Sequence, residues 1–192
     1  MIENRHEIRL TGFGGQGIML AGYIIGQAAT VYEMKHATHI RDYGPEARGG
    51  SCRADVVISD KHVLYPYINA PSVLVAMSQQ AYDKYRPGSR ENSQIIIDED
   101  LVRHREQRKD RLWTIPAQKI AEELGRVNVA NVVMLGFLTA VTNLVSIEAM
   151  RKSVLTSVPK NWEELNLKAL DQGYAYGMEK VATRKNGGNR KS

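Results

Sequence analysis

The sequence predicts an α/β fold: a mostly parallel sheet flanked by helices, with a helical C-terminal end. Three features predict it. A glycine turn, Thr11-Gly12-Phe13-Gly14-Gly15-Gln16-Gly17, joins a short alternating run, Glu7 to Leu10, to a long helical pattern. Two apolar stretches, Val73 to Met77 and Gln94 to Asp98, read as buried strands of a parallel sheet. The last third of the chain carries its apolar residues at helical spacing.

The glycine turn comes first. Gly12, Gly14 and Gly17 have G-x-G-x-x-G spacing, with a strand before and a helix after, as in a Rossmann-like fold. One glycine allows the tight turn, one lets a backbone or phosphate approach, and one lets the helix pack close to the strand. The helix N-terminus then offers free N–H groups to an anion. A turn that serves only the chain's own path remains open. Ile18, Ala21, Ile25, Ala28 and Tyr32 follow on one helical face. Ala37 to Asp42 reads as the second strand, expected to pair in parallel with the first through a right-handed crossover. A dinucleotide site would place an acidic residue at the end of that strand, about 20 positions after the glycines. Glu33 falls at the helix exit and Asp42 lies too far on, so the dinucleotide pattern is incomplete.

Tyr43-Gly44-Pro45-Glu46-Ala47-Arg48-Gly49-Gly50-Ser51 is a glycine-rich loop flanked by Arg41 and Arg53. Such a loop is suited to hold an anion through Arg48, or to lie solvated on the surface. Cys52 to Ser59 alternates as a strand, and His62 to Leu64 is expected to return as a hairpin. Ser78 is placed to cap a helix from Gln79 to Tyr85. Pro87-Gly88 is a turn, and Arg103 to Arg111 a charged surface run. Trp113 to Ile115 is extended, and Pro116 opens a helix through Leu124. Asn131 is expected to cap the apolar helix Val132 to Val145, and Ser146 the next one, which Pro159 ends. Asn161 with Glu164 has the pattern of a capping box for a final helix carrying Leu167, Leu170, Tyr174 and Val181.

The chain has 192 residues, 43% of them hydrophobic and 24% charged, which suits one packed domain, expected at 1–183. A basic tail at 184–192 is expected to be unordered. The net charge is +5, and the tail's Arg184, Lys185, Arg190 and Lys191 account for most of it, so no nucleic-acid partner is expected. The N-terminus is too charged for a signal peptide, and the apolar stretch Val132 to Val145 is shorter than the roughly 20 residues that span a bilayer. A cytoplasmic protein with no membrane partner is expected.

Little in the sequence is equipped for catalysis. Cys52 stands alone and reads as a small strand residue. His36 and His39 lack the further ligands that a metal site needs. No nucleophile elbow and no P-loop is present.

Three stretches together resemble the gamma subunit of 2-oxoacid:ferredoxin oxidoreductases: Gly12-Phe13-Gly14-Gly15-Gln16-Gly17, Tyr43 to Gly50, and Asn131-Val132-Val133-Met134-Leu135-Gly136. The resemblance covers residues 7 to 178, and length and stand-alone form are most like the 2-oxoglutarate enzyme. It implies an oxidoreductase subunit, not catalytic alone. The complex decarboxylates a 2-oxoacid with thiamine diphosphate and Mg²⁺, joins the acyl group to coenzyme A, and passes electrons through iron–sulfur clusters to ferredoxin. Thiamine diphosphate, Mg²⁺ and the clusters are implied to sit in partner subunits: alpha, beta, and a ferredoxin-like subunit or ferredoxin. This chain is implied to lie on the coenzyme A side. The expected binding residues are Gly12, Gly14, Gly15, Gln16, Gly17, Arg48, Gly49 and Asn131, with no catalytic or metal residue. Two readings stand beside it: a purely structural interface domain of this or a related (pyruvate, branched-chain or indolepyruvate) complex, and an independent NAD(P)-binding oxidoreductase.

Overall fold

A computed structural model describes residues 5–44, 50–104 and 111–188. Six strands form one mixed sheet: β1 Arg5–Phe13, β2 His36–Asp42, β3 Ser51–Ser59, β4 Val73–Ala76, β5 Gln94–Asp98 and β6 Arg111–Ile115. Their order is β2-β3-β1-β4-β5-β6. The pairs β1–β4, β4–β5 and β5–β6 are parallel, and β3 runs antiparallel to both β1 and β2. Five strands therefore share a direction, and the mostly parallel α/β expectation holds.

The expected pairing of β1 with β2 does not occur, because β3 lies between them. The reason is burial. Eight of the nine residues of β3 are buried, Ala54, Val56, Val57 and Ile58 among them, whereas β2 is only partly covered along its length. An apolar strand takes the centre, the polar strand takes the edge, and a short connection suffices for an antiparallel pair. The same arrangement removes the hairpin expected at His62 to Leu64. Both edges of β3 are already occupied, so residues 60–72 run as irregular chain and Leu64 is 93% exposed.

The helices are α1 Ile18–Gln27, α2 Gln79–Tyr85, α3 Ala117–Glu123, α4 Ala130–Thr142, α5 Ile147–Ser157 and α6 Glu163–Gly188. One sheet face, with Ile8, Leu10, Val56, Ile58, Val75 and Ile96, packs on α1, α4 and α5. The other face is covered more thinly: Leu74, Ala76, Ile95 and Ile97 meet Ala81, Tyr82 and Tyr85 of α2. Ser78 and Ser146 cap α2 and α5 as expected, accepting from the amides of Ala81 and Ala149. Asn161 does not cap α6; it lies inside a 3₁₀ turn, Lys160–Trp162, and Glu164 pairs with Lys168 one turn on. The helix also runs past Thr183 to Gly188. Arg184 stacks over Trp113 with 4.6 Å to the ring centroid, so the stretch expected to fray has a partner at its start. Among the described residues no helix is long and apolar enough to cross a membrane.

Candidate functional site

The parallel strands β1, β4 and β5 have their C-terminal ends on the side of the sheet where antiparallel β3 begins. There the two glycine segments meet. The Gly14 amide donates to the Gly50 carbonyl at 3.3 Å, and Phe13 pairs with Ser51 in the ladder. Lys84 of α2 donates to Ser51 Oγ at 3.1 Å. Arg48 and Gly49, expected in the site, lie outside the described residues. At the near end of their loop, Gly44 takes φ 68°, and its amide donates to Asp42 Oδ1 at 2.9 Å.

The turn is held from within by Gln16. Its Oε1 accepts from the Phe13 amide at 2.7 Å, and its Nε2 donates to the Met77 carbonyl at the end of β4 at 2.8 Å. Gln16 stands among the expected binding residues through its backbone N–H; its side-chain amide fastens the turn to the neighbouring strand. Gly12 leaves room for this, since a Cβ there would lie 2.5 Å from Gln16 Oε1.

Asn131 is brought to the same turn from the far end of the chain. It does not cap α4, which begins one residue earlier with Val129 as its cap. The preceding 3₁₀ turn, Val127–Val129, starts the helix early and leaves the Asn131 side chain free to reach sideways. Its Nδ2 donates to the Gly17 carbonyl at 3.1 Å. Gly17 has φ 71° and would carry a Cβ 2.3 Å from that Nδ2, so both backbone conformation and space require glycine here. Asn131 is 3% exposed, and its Oδ1 has no partner among the described residues.

These bonds sort the expected donors. The Gly14 and Gln16 amides are occupied, by Gly50 and Phe13 respectively, while nothing described accepts from the Gly15 or Gly17 amide. Gly14 and Gly15 face open space, with no atom within 4 Å of an added Cβ. Helix α1 has no side-chain cap. The arrangement is suited to bind an anion through backbone N–H groups at a helix start, or to take a close-packed protein surface.

Two cavities lie behind the turn. One of about 70 Å³ includes Gly15, Gln16, Met77 and Asn128 in its lining. The other, of about 280 Å³, is lined by Asn131 together with Leu20, Arg126, Trp162 and Asn166. Sequence reading singled out Asn131 but missed Arg126, Trp162 and Asn166, because two stretches distant in sequence supply them. It also missed a buried pair. Arg9 and Asp55 bond twice at 2.7 Å on the thinly covered face, each 5% exposed. Alternating charges in otherwise apolar strands, at Glu7 and Arg9 and at Arg53 and Asp55, were the available signal.

The remaining polar groups have structural tasks. Glu33 pairs with Lys35 and accepts from the Ser146 amide. Asp42 pairs with Arg53. Both acids weighed for a ribose contact are thus engaged with cations of this chain. Asp98 accepts from the Gln118 and Asp100 amides, joining β5 to the start of α3, and burial pushes its carboxyl above the usual range. Cys52 is buried, which raises its thiol and leaves it protonated and inert. Among the described residues no group of three His, Cys, Asp or Glu is placed to hold a metal ion.

A family model described as pyruvate ferredoxin/flavodoxin oxidoreductase matches residues 7–176. The 2-oxoglutarate synthase subunit KorC of Methanocaldococcus jannaschii is 49% identical over 181 residues, covering 93% of this chain and 97% of that one. The gamma subunit of a keto/oxoacid ferredoxin oxidoreductase from Geobacter sulfurreducens PCA has a similar structure, with a TM-score of 0.83 and 38% identity over 92% of this chain and 98% of that one. A 2-oxoglutarate:ferredoxin oxidoreductase from Magnetococcus marinus, with 2-oxoglutarate, coenzyme A and succinyl-CoA bound, shares the fold at a TM-score of 0.80 and 21% identity. The match covers 90% of this chain and 31% of that longer one.

Proposed function

The chain belongs to the pyruvate ferredoxin/flavodoxin oxidoreductase family, and we propose that it is the gamma subunit of a cytoplasmic 2-oxoglutarate:ferredoxin oxidoreductase complex, lying on the coenzyme A side. The observation that carries this reading is the end-to-end match to a 2-oxoglutarate synthase subunit at 49% identity. Alpha and beta subunits and a ferredoxin-like subunit or ferredoxin complete the enzyme, and they hold thiamine diphosphate, Mg²⁺ and the iron–sulfur clusters.

Within that complex, the open Gly15 and Gly17 amides and the positive end of α1 suit a phosphate of coenzyme A. Gln16 and Asn131 act as positioning residues that keep those amides aimed, and Gly12 makes room for the Gln16 lock. Gly14 leaves the approach open, and Arg48, shortly before Gly50 in the sequence, is the cation expected to add charge. Coenzyme A, when bound, supplies the thiol that accepts the acyl group.

A second reading has its own support. Phe13 and Tyr43 are 37% and 62% exposed beside the turn, as they would be if this edge were covered by a partner subunit. The glycines then serve close protein contact. Co-expression with alpha and beta candidates, purification through a tag on this chain, and viologen reduction with 2-oxoglutarate test the assignment. Co-purified activity that requires both 2-oxoglutarate and coenzyme A is expected. A chain that recruits no partner yet binds NAD(P) by itself would overturn it. Arg48→Ala separates the two site readings: the coenzyme A requirement rises and decarboxylation stays intact if the loop serves the ligand, whereas both activities fall together if the loop serves assembly.

A further inference from the structure

Helix α1 is apolar on the side where a surface helix carries charge. From Ile18 to Tyr32 the chain has no acidic, basic or histidine residue. Among the described α-helices only α4 shares this, and there every residue from Ala130 to Thr139 is buried. Burial does not account for α1 in the same way. One side of it packs into the core through Ile18, Ala21, Ile24 and Ile25. The exposed positions from 18 to 34 are Leu20, Tyr23, Thr30, Val31 and Met34. The four large ones are 37%, 49%, 60% and 91% exposed. Thr30 adds little polarity, since its hydroxyl donates to the Gly26 carbonyl at 3.0 Å. Leu20, Tyr23 and Val31 fall on one line of the helix, and Met34 continues it at the exit. A helix facing water on this side would carry polar residues there, and a continuous exposed apolar stripe marks a contact surface.

The size of the stripe says what kind of body covers it. It runs about 20 Å down the helix and is about 10 Å wide. A footprint on the order of 200 Å² falls well short of the roughly 800 Å² per partner that holds a stable pair. Two copies meeting stripe to stripe would not be held by it, so it is one part of a broader contact with a larger body. In the longer Magnetococcus marinus chain this fold makes up the matched 31%, and the larger remainder is tied to it covalently. We propose that the stripe Leu20, Tyr23, Val31 and Met34 is a docking surface for a partner subunit, the one that corresponds to the remainder of that longer chain. The partner presents an apolar, uncharged face to it. With no charge on α1 to pair with, a charged partner residue here would be stripped of water without a counterion. This inference deepens the subunit reading and rests on it.

The test uses the complex assembled by co-expression with alpha and beta candidates, purified through a tag on this chain. The photoreactive amino acid p-benzoylphenylalanine is placed at Tyr23, the complex is irradiated, and the cross-linked subunit is identified by mass spectrometry. A cross-link to the subunit that corresponds to the remainder of the longer chain is expected. The same group at Met178 of α6, beside Glu179 and Lys180, is the control and is expected to give none. Tyr23→Glu and Val31→Glu are each expected to lower the co-purified partner by about tenfold or more, because each sets an unpaired charge in the contact. The melting midpoint of the chain itself should not move, since both positions are exposed. Met178→Glu should leave assembly intact. A cross-link to a second copy, or to the other subunit, overturns the proposed occupant. Undiminished co-purification in both glutamate variants leaves the subunit reading standing and removes the docking surface alone. A wild-type chain that recruits no partner removes both.

Discussion

Two regions of this molecule are rich in glycine, and they use it for opposite reasons. At the crossing of α4 and α6 the glycines are empty space. A Cβ on Gly136 would lie 2.0 Å from the Leu170 carbonyl oxygen, and one on Gly173 would lie 1.9 Å from that of Val133. In the turn before α1, by contrast, Gly15 and Gly17 have positive φ, and a Cβ added at Gly14 or Gly15 would meet no atom within 4 Å. The crossing glycines serve packing that is already complete. The open turn glycines face space that no described residue of this chain fills. Residue type alone does not separate the two uses; the surroundings do.

The contrast can be broken at graded points. The largest effect is expected at the crossing. Gly136→Ala or Gly173→Ala forces a methyl against a backbone carbonyl, which no side-chain rotation relieves, and should cost about 3 kcal/mol. Urea denaturation measures it, and a loss below about 1 kcal/mol would mean the two helices slide apart freely. Gly17→Ala combines a left-handed backbone with displacement of Asn131 and should cost about 2 kcal/mol. Gln16→Ala removes two hydrogen bonds that fasten the turn to β4, with an expected loss of about 1 kcal/mol and a larger proportional loss of complex activity.

Gly22 of α1 is an intermediate case, because its close neighbour titrates. A Cβ there would lie 2.7 Å from His39 Nε2. Burial, with Arg41 adding to it and Asp55 opposing, lowers the His39 pKa below its ordinary 6.5. Protonation is therefore harder folded than unfolded. The stability from neutral His39 is complete above pH 6.5 and declines as pH falls below it. His39→Gln should flatten that acid-side decline in melting midpoint. Some slope remains, because burial and Lys35 lower the His6 pKa as well. The smallest effect on stability is expected at Gly14→Ala, within about 0.5 kcal/mol, since the methyl enters open space. It should nevertheless lower co-purified activity or raise the coenzyme A requirement. An unchanged complex would mean that this open face serves no contact.

Much of the fold was legible. Local signals marked the glycine turn, the apolar strands β4 and β5, the serine caps at Ser78 and Ser146, and the helical C-terminal third, because each depends on a few adjacent residues. Strand partnership was not legible. The position of β3 between β1 and β2 follows from competition among strands for buried edges, which involves the whole sheet. The site divided in the same way. Gly12, Gly14, Gly15 and Gly17 announced a turn, but the sequence did not distinguish the amides of Gly14 and Gln16, already bonded, from those of Gly15 and Gly17.

The sequence by itself determined where this chain turns, which faces are apolar and which family it resembles, since periodicity and short motifs encode those locally. Only the tertiary structure decided what each singled-out residue does. Gln16 became a lock because the end of β4 lies beside it, and Asn131 reaches Gly17 because helix packing brings two segments 114 positions apart together. Burial and hydrogen bonding depend on neighbours in space, and those neighbours come from distant parts of the chain.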